Sequence, residues 1–212
     1  MITVEEARSY YSGEDAAHDF DHVLRVLRLA ERIGTAEGAD MEILRAAVLL
    51  HDVARVQEDS GGPCHAQQGA NRAREILAQH PRERVEAVAE AIATHRFRSS
   101  KPPSTLEAKV LYDADKLDAI GAIGVARAYA IAGRHGQRLW ADVRAGLAER
   151  STEQARGDIA NAWHTPVHEY VFKLSRLKDA LFTPTAQRIA ADRHAYIVRF
   201  FERLEREVAG KL

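Results

Sequence analysis

The sequence has only one cysteine, Cys64, so no disulfide can form within the chain, and a reducing compartment such as the cytoplasm is expected. It has no apolar run of membrane-spanning length, and its first residues lack the basic flank and apolar stretch of a secretion signal. It also has no excess of charge, because 30 basic and 31 acidic residues give a net charge of −1. This balance argues against a chain that coats nucleic acid or binds a membrane surface.

Alternating apolar and polar residues, which would indicate strands, are missing as well, whereas helical spacing recurs from end to end. The sequence therefore predicts an all-α fold. With 212 residues, of which 46% are hydrophobic, a single domain with one sizeable core is expected. Helix starts are predicted after Asp40, at Pro81 and at Ser104–Glu107, where the sequence STLE is typical of a capping box.

The adjacent pair His51-Asp52 closes an apolar helical run, from Ile43 to Leu50, that should end in the core. Two ionisable side chains are costly in such a place unless something pairs them. A divalent cation is a suitable partner, because imidazole and carboxylate groups both donate electron pairs to it. The pair therefore predicts part of a metal site.

Other ionisable side chains lie on inward-facing stripes of three further predicted helices. His22 is followed by apolar residues at helical spacing, and His95 is preceded by them. Asp115 and Asp118 are three residues apart on a helix face that is otherwise apolar. Carboxylates on such a face are again unfavourable without a cation, so these segments are expected to complete the site.

In this order and spacing, five blocks resemble the HD superfamily of metal-dependent phosphohydrolases, and within it the small single-domain bacterial hydrolases of the YedJ type. The resemblance implies a single helical HD-domain fold over residues 1–212, with the metal site between core helices. It also implies an HD core over about 18–133, an insertion over about 134–165 and C-terminal helices over about 166–209. The blocks are HDFDHVLRV, AAVLLHDVARV, AIATHRF, LEAKVLYDADKLDAIGAIGVARA and KLSRLKDALFTPTAQRIAADR.

Carried over residue by residue, the metal ligands of the family fall on His22, His51, Asp52 and Asp115. Four protein ligands with room for water and substrate suit an octahedral ion, so Mn²⁺, Mg²⁺ or Fe²⁺ is expected, with Ni²⁺ and Zn²⁺ as alternatives. Two-metal branches of the superfamily bind a second ion through further histidines, usually a His-His pair. This chain has His95-Arg96 at that place, so we expect one ion rather than two.

The resemblance implies hydrolysis of a phosphate ester or phosphoanhydride with the help of the metal. Asp118 is the candidate to accept a proton or orient the water, and support of a ligand histidine is its alternative role. Arg55, Lys116 and Arg96 are candidates for neutralising phosphoryl charge, with ordinary ion pairs as the alternative. His95 is a candidate to contact the substrate or to support the site.

The expected partner is a small phosphorylated molecule, with nucleotides the commonest substrates of the superfamily. His65 starts a predicted helix and has no assigned role, and His18 either contacts substrate or faces solvent. Two other functions stay open. One is a di-iron oxygenase, which would need His65 and His95 as ligands of a second iron, and the other is a non-catalytic sensor that binds metal or nucleotide. Monomer and homodimer are both compatible with the sequence.

Overall fold

The computed structural model describes residues 1–11, 20–55, 64–96, 101–143 and 164–212. Within these ranges the regular elements are helices, without a strand, which confirms the predicted all-α class. None of the helices in the described ranges combines the length and the apolarity needed to cross a bilayer. The helices are α1 (Val4–Arg8), α2 (Phe20–Glu37), α3 (Met41–Leu50), α4 (His65–Ile76), α5 (Arg82–Ala93), α6 (Leu106–Asp118), α7 (Gly121–Arg134), α8 (Pro166–Phe172), a 3-10 helix (Leu174–Ala180) and α9 (Pro184–Val208).

The described residues form two compact units. The first contains Met1–Asp118 and Leu181–Gln187, and the second contains Ala119–Ala180 and Arg188–Leu212. The proposed metal ligands and the catalytic candidates from the sequence all fall in the first unit, so the site can be described within that unit alone.

Helix α3 is the centre of the first unit, since it contacts α1, α2, α4, α5 and α6. Its last five side chains, from Ala46 to Leu50, are all buried. Asp40 caps its N-terminus, as predicted, by accepting the backbone N–H groups of Glu42 at 3.0 Å and Ile43 at 3.1 Å. Because other helices surround α3, its C-terminal end carries His51 and Asp52 into the interior.

Helix α6 begins differently from the prediction. The capping box at Ser104–Glu107 is wrong, because Thr105 is the capping residue and its hydroxyl accepts the N–H of Ala108 at 3.2 Å. The Glu107 carboxylate instead accepts the backbone N–H of Asp40 at 2.8 Å. A contact between two helices therefore takes the side chain that the local motif would have used.

Within the first unit, the buried carboxylate of Asp113 in α6 holds the segment Leu181–Gln187 in place. It accepts the backbone N–H groups of Phe182 at 2.9 Å and Thr183 at 2.8 Å, and the Thr183 hydroxyl at 2.7 Å. This anchoring leaves the last turn of α6, with Asp115 and Asp118, next to α2 and α3.

Candidate metal centre

His51 is the C-cap residue of α3 and is fully buried. Its Nδ1 atom lies 2.7 Å from the Val48 carbonyl oxygen. Because a carbonyl oxygen can only accept, Nδ1 carries the proton and Nε2 presents its lone pair, an assignment made from the partners. Asp52 follows and is buried too. Burial raises the pKa of Asp52, but the histidines around it, His51 and His22 foremost, lower that pKa more, so Asp52 is ionised.

His22 projects from the first turn of α2 and is 1% exposed. Its Nδ1 atom lies 2.8 Å from Asp118 Oδ2. Arg25 donates to both oxygens of Asp118, from Nε at 2.9 Å and from Nη2 at 3.2 Å. The Asp118 carboxylate therefore accepts the Nδ1 proton of His22 and directs the Nε2 lone pair away from itself. Hydrogen bonds of this kind fix the tautomer and the ring orientation of metal-binding histidines.

The Nε2 atom of His22 faces His51 Nε2 and one oxygen each of Asp52 and Asp115. His22 Nε2 lies 3.4 Å from His51 Nε2, 3.8 Å from Asp52 Oδ2 and 3.4 Å from Asp115 Oδ1. His51 Nε2 lies 3.7 Å from Asp52 Oδ2. In the tautomers assigned above all of these atoms are electron-pair donors, and a cation among them removes their mutual repulsion. Atoms that share an ion at about 2.1 Å are about 3.0–3.4 Å apart, close to the spacings found here.

Asp115 faces His22 as an anion. Its other oxygen, Oδ2, accepts a hydrogen bond from Lys116 Nζ at 2.5 Å. Burial raises the pKa of Asp115, but Lys116 and then His22 lower it more and hold it well below its usual range. Lys116 also lies over the ring of Tyr112, with Nζ 5.2 Å from the ring centroid. The donor set of His22, His51, Asp52 and Asp115 therefore fits a divalent metal ion in charge and in chemistry.

The second oxygen of Asp52 faces another pair of histidines. Asp52 Oδ1 lies 3.4 Å from His65 Nε2 and 3.8 Å from His95 Nε2, and these two nitrogens are 3.2 Å apart. Arg55 Nη1 lies 3.3 Å from His65 Nδ1 and 3.5 Å from His65 Nε2. Because His65 Nε2 faces the carboxylate oxygen of Asp52, which can only accept, we assign the His65 proton to Nε2. His95 Nδ1 lies 2.6 Å from the Ile92 carbonyl oxygen and is protonated, so its Nε2 can accept from His65.

Both groups around Asp52 are compact enough to hold an ion, but their hydrogen bonding differs. The group of His22, His51 and Asp52 brings acceptor atoms together, whereas the group of Asp52, His65 and His95 contains the Nε2 proton of His65. Burial and the nearby His51 lower the pKa of His95 to about 3, so His95 is neutral near pH 7. Hydrogen bonds alone can therefore satisfy the second group, while the first calls for a cation.

Gly69 allows α4 to approach the His51-Asp52 pair closely. A Cβ atom at this position would lie 3.1 Å from the His51 carbonyl oxygen and 3.3 Å from Cγ2 of Ile92. His65 lies four residues earlier, on the same face of α4. The contact at Gly69 therefore sets how far His65 reaches towards Asp52.

The three cations predicted from the sequence all lie beside candidate residues. Arg55 contacts His65, and Lys116 contacts Asp115, as described. Arg96 donates from Nη1 to Cys64 Sγ at 3.2 Å. Burial raises the pKa of Cys64, but this hydrogen bond and two backbone N–H groups together lower it by more, so the pKa lies below its usual value. Lys116 thus pairs with a carboxylate of the site, whereas Arg55 and Arg96 donate to His65 and to its chain neighbour Cys64.

The structure thus brings His22, His51 and Asp52 into one group, with Asp115 facing His22, Asp118 behind His22 and the His65–His95 pair on the other side of Asp52. His18 lies outside the described residues, and so do Glu58 and Asp59, the acidic residues that follow Arg55 in the sequence. Sequence reasoning missed Arg25, although it follows His22 by three residues and so shares its helix face. It also missed Tyr11, whose partner Leu49 is 38 positions away.

A family model and a known protein both match this chain in sequence. A model of the HD domain matches residues 19–120. The uncharacterized protein YpgQ of Bacillus subtilis is 32% identical over 207 residues, which cover 96% of this chain and 90% of YpgQ. Both matches span the helices that carry His22, His51, Asp52 and Asp115.

Solved structures agree with these matches. The crystal structure of Bacillus subtilis YpgQ in complex with ADP has a TM-score of 0.74 and 29% identity, covering 99% of this chain and 100% of that one. A predicted HD superfamily hydrolase from an uncultured Thermotogales bacterium has a TM-score of 0.64 and 28% identity, covering 96% and 90%. An HD-superfamily hydrolase of Bacillus thuringiensis has a TM-score of 0.69 and 26% identity, covering 97% and 96%.

Proposed function

The chain belongs to the HD superfamily of hydrolases, and we propose that within it the protein is a divalent-metal-dependent phosphohydrolase acting on a nucleotide or a related phosphate ester or phosphoanhydride. In this proposal His22, His51, Asp52 and Asp115 hold one ion. One observation carries the proposal. The Nδ1 protons of His51 and His22 are donated to Val48 and Asp118, respectively. Their Nε2 atoms therefore face each other at 3.4 Å and face ionised carboxylates.

A divalent ion bound there supplies Lewis-acid chemistry at a phosphoryl oxygen and lowers the pKa of water. The side chains around it have separate tasks. Asp118 keeps His22 in the tautomer that offers Nε2, because its oxygens accept from His22 and from Arg25. This contact supports the orienting role of Asp118 over proton transfer. Lys116 is the closest candidate to neutralise phosphoryl charge, since Asp115 shares its own charge with the ion.

The His65–His95 pair is proposed as a contact for the phosphoryl group. His65 carries a proton on Nε2, and Arg55 supports it from the Nδ1 side. His95 is held by its hydrogen bond to Ile92, so its neutral Nε2 accepts this proton when no substrate is present. A phosphoryl oxygen that replaces this acceptor would receive the His65 proton, which gives the pair a role in orienting substrate.

A nucleotide is the first substrate to test. The structure of the relative YpgQ contains ADP, which is a property of that protein and a reason to begin with nucleoside phosphates here. The charges near the proposed centre suit a polyphosphate, because Lys116 contacts Asp115, Arg55 contacts His65, and Arg96, which follows His95, contacts Cys64 beside His65.

A second candidate function is the di-iron oxygenase. It is favoured by one observation, that Asp52 offers a different oxygen to each of two groups of histidines. In that case His65 and His95 would bind a second ion, and the His65 proton would be lost. The two functions differ in metal stoichiometry, with one ion per chain for the hydrolase and two for the oxygenase, and in whether O₂ is consumed.

The test combines metal analysis with a substrate screen. The purified protein is stripped of metal, supplied in turn with Mn²⁺, Mg²⁺, Fe²⁺, Ni²⁺ and Zn²⁺, and assayed on nucleoside mono-, di- and triphosphates, phosphomonoesters and cyclic diesters. Asp52→Ala is the inactive reference, because it removes a ligand and leaves four buried histidines without their shared anion. Asp21→Ala is the matched control, because it removes an exposed carboxylate beside His22.

We expect one ion per chain and phosphate or pyrophosphate release in the wild type and in Asp21→Ala, and neither in Asp52→Ala. A protein that binds no metal after reconstitution would contradict the proposal. Metal binding without turnover of any phosphorylated compound would instead support the non-catalytic sensor.

A further inference from the structure

Tyr11 lies against the turn that carries His51 and Asp52. Its hydroxyl donates to the Leu49 carbonyl oxygen at 2.9 Å. The backbone of Asp52 is near enough to the phenol to affect its pKa. The Val53 N–H donates to the Leu50 carbonyl at 3.3 Å, an i→i−3 bond, so the chain leaves the α-helical pattern just after the turn that Tyr11 contacts. The hydroxyl of Tyr11 therefore attaches the N-terminal segment to the last turn of α3.

The ring of Tyr11 makes a second attachment, to the helix that carries His22. It packs edge-on against Phe20, the first residue of α2, with ring centroids 5.2 Å apart. Arg8 covers Phe20, with its guanidinium carbon 4.4 Å from the ring centroid. Burial and the charge of Asp52 raise the pKa of Tyr11 well above its usual value, so the phenol keeps its proton and its donor role.

We propose that Tyr11 is a positioning residue for the metal centre: its hydroxyl locks the turn that presents His51 and Asp52, and its ring aligns that turn with the start of α2. The inference rests on the proposed function, because it assigns Tyr11 to the same site. His51 and His22 must keep their Nε2 atoms 3.4 Å apart, and Asp52 must divide its oxygens between two groups. A turn free to shift would spoil both distances.

The hydroxyl of Tyr11 has a role that bulk packing alone does not provide. Phenylalanine at position 11 keeps the ring contact with Phe20 but loses the hydrogen bond of the hydroxyl to Leu49. The Leu49 carbonyl then lacks this partner at the end of a buried helix. We expect local opening of the turn to become about threefold to tenfold more frequent, as for the loss of one net hydrogen bond.

The test compares Tyr11→Phe with Tyr129→Phe. Tyr129 is a matched control because its hydroxyl also donates to a backbone carbonyl, that of Leu139 at 3.3 Å, but in the second unit. Amide hydrogen exchange of the metal-free proteins reports the protection of the Asp52 N–H. Calorimetric titration with Mn²⁺ alone reports the affinity of the site, and thermal unfolding reports overall stability.

For Tyr11→Phe we expect faster exchange at Asp52 and Mn²⁺ binding weaker by about 10- to 100-fold, the cost typical of outer partners of metal ligands. Tyr129→Phe should leave both values unchanged. Unchanged exchange and affinity in Tyr11→Phe would overturn the inference, and so would a uniform rise of exchange over the whole first unit. If the wild type binds no Mn²⁺, the proposed function fails, while exchange at Asp52 still decides whether Tyr11 locks the turn.

Discussion

The role of Asp118 can be decided by replacing it with asparagine. Its two oxygens accept three hydrogen bonds, one from His22 Nδ1 at 2.8 Å and two from Arg25 at 2.9 and 3.2 Å. Asparagine has one acceptor oxygen and one NH₂ group. Whichever way the amide turns, its NH₂ faces a donor, either His22 or Arg25. The substitution therefore breaks the contact that sets the tautomer of His22 or the one that holds the carboxylate in place.

The size of the effect follows from these contacts. The Asp118 side chain is 1% exposed, so solvent screens the pair with Arg25 only weakly on that side. Loss of one hydrogen bond to a charged group should lower the free energy of unfolding by about 1.5–3 kcal/mol. Loss of an outer partner of a metal-binding histidine should weaken Mn²⁺ binding by about 10- to 100-fold. A proton-transfer role predicts something else, namely normal metal binding with turnover reduced by about 10²–10⁴.

The assay measures the Mn²⁺ dissociation constant by calorimetry, and kcat at saturating Mn²⁺ on whichever nucleotide the wild type hydrolyses best. Asp21→Asn is the control, since Asp21 is exposed and precedes His22 in the chain. We expect weaker Mn²⁺ binding in Asp118→Asn, with turnover largely restored at high Mn²⁺. Wild-type affinity with lost turnover would refute the orienting role and establish proton transfer, and wild-type values for both would refute each role.

Three further outcomes are expected. Gly69→Ala should lower the melting temperature, because the new Cβ would lie 3.1 Å from the His51 carbonyl oxygen, which outweighs the helix preference of alanine of about 1 kcal/mol. Gly133→Ala is the control and should raise the melting temperature, because no atom lies within 4 Å of its new Cβ. A rise in both variants would contradict the close contact at Gly69. Asp113→Asn should lower the free energy of unfolding, measured in urea, by about 1–3 kcal/mol, because one acceptor oxygen cannot accept all three hydrogen bonds of the carboxylate. A decrease below about 0.5 kcal/mol would contradict the anchoring role of Asp113. Chelation of the metal should lower the melting temperature of the wild type, because free metal at 100 times its dissociation constant stabilises the folded protein by about 2.7 kcal/mol. Chelation should leave the melting temperature of Asp52→Ala unchanged. Equal melting temperatures of the wild type with and without chelator would contradict a bound metal.

The inward positions of the site histidines were predictable because helical periodicity reports burial. His22 and His95 end or begin apolar stripes, and they are 1% and 2% exposed. An imidazole or a carboxylate inside a buried stripe is rare enough to identify the segment that needs a partner. The same reasoning located Asp115 and Asp118, but it did not separate their tasks, because both lie on one face of α6.

The supporting residues were less predictable, since their contacts depend on tertiary structure. Tyr11 reaches a carbonyl 38 positions away, and Arg25 reaches a carboxylate 93 positions away. Glu107 fits a local capping motif, but its carboxylate accepts the backbone N–H of Asp40 in another segment. Periodicity indicates which face of a helix is buried, whereas these contacts depend on which helix lies opposite.

The charges of the proposed centre explain why the substrate should bring its own negative charge. In the proposed centre, Asp52 and Asp115 together would balance one divalent ion, and Asp118 is already balanced by Arg25. His95 is neutral near pH 7, so it adds nothing to the sum. If Asp115 shared its charge with an ion, the positive charge of Lys116, 2.5 Å away, would no longer be fully compensated. A phosphoryl group restores the balance by accepting from Lys116 while it contacts the ion, which a neutral substrate cannot do.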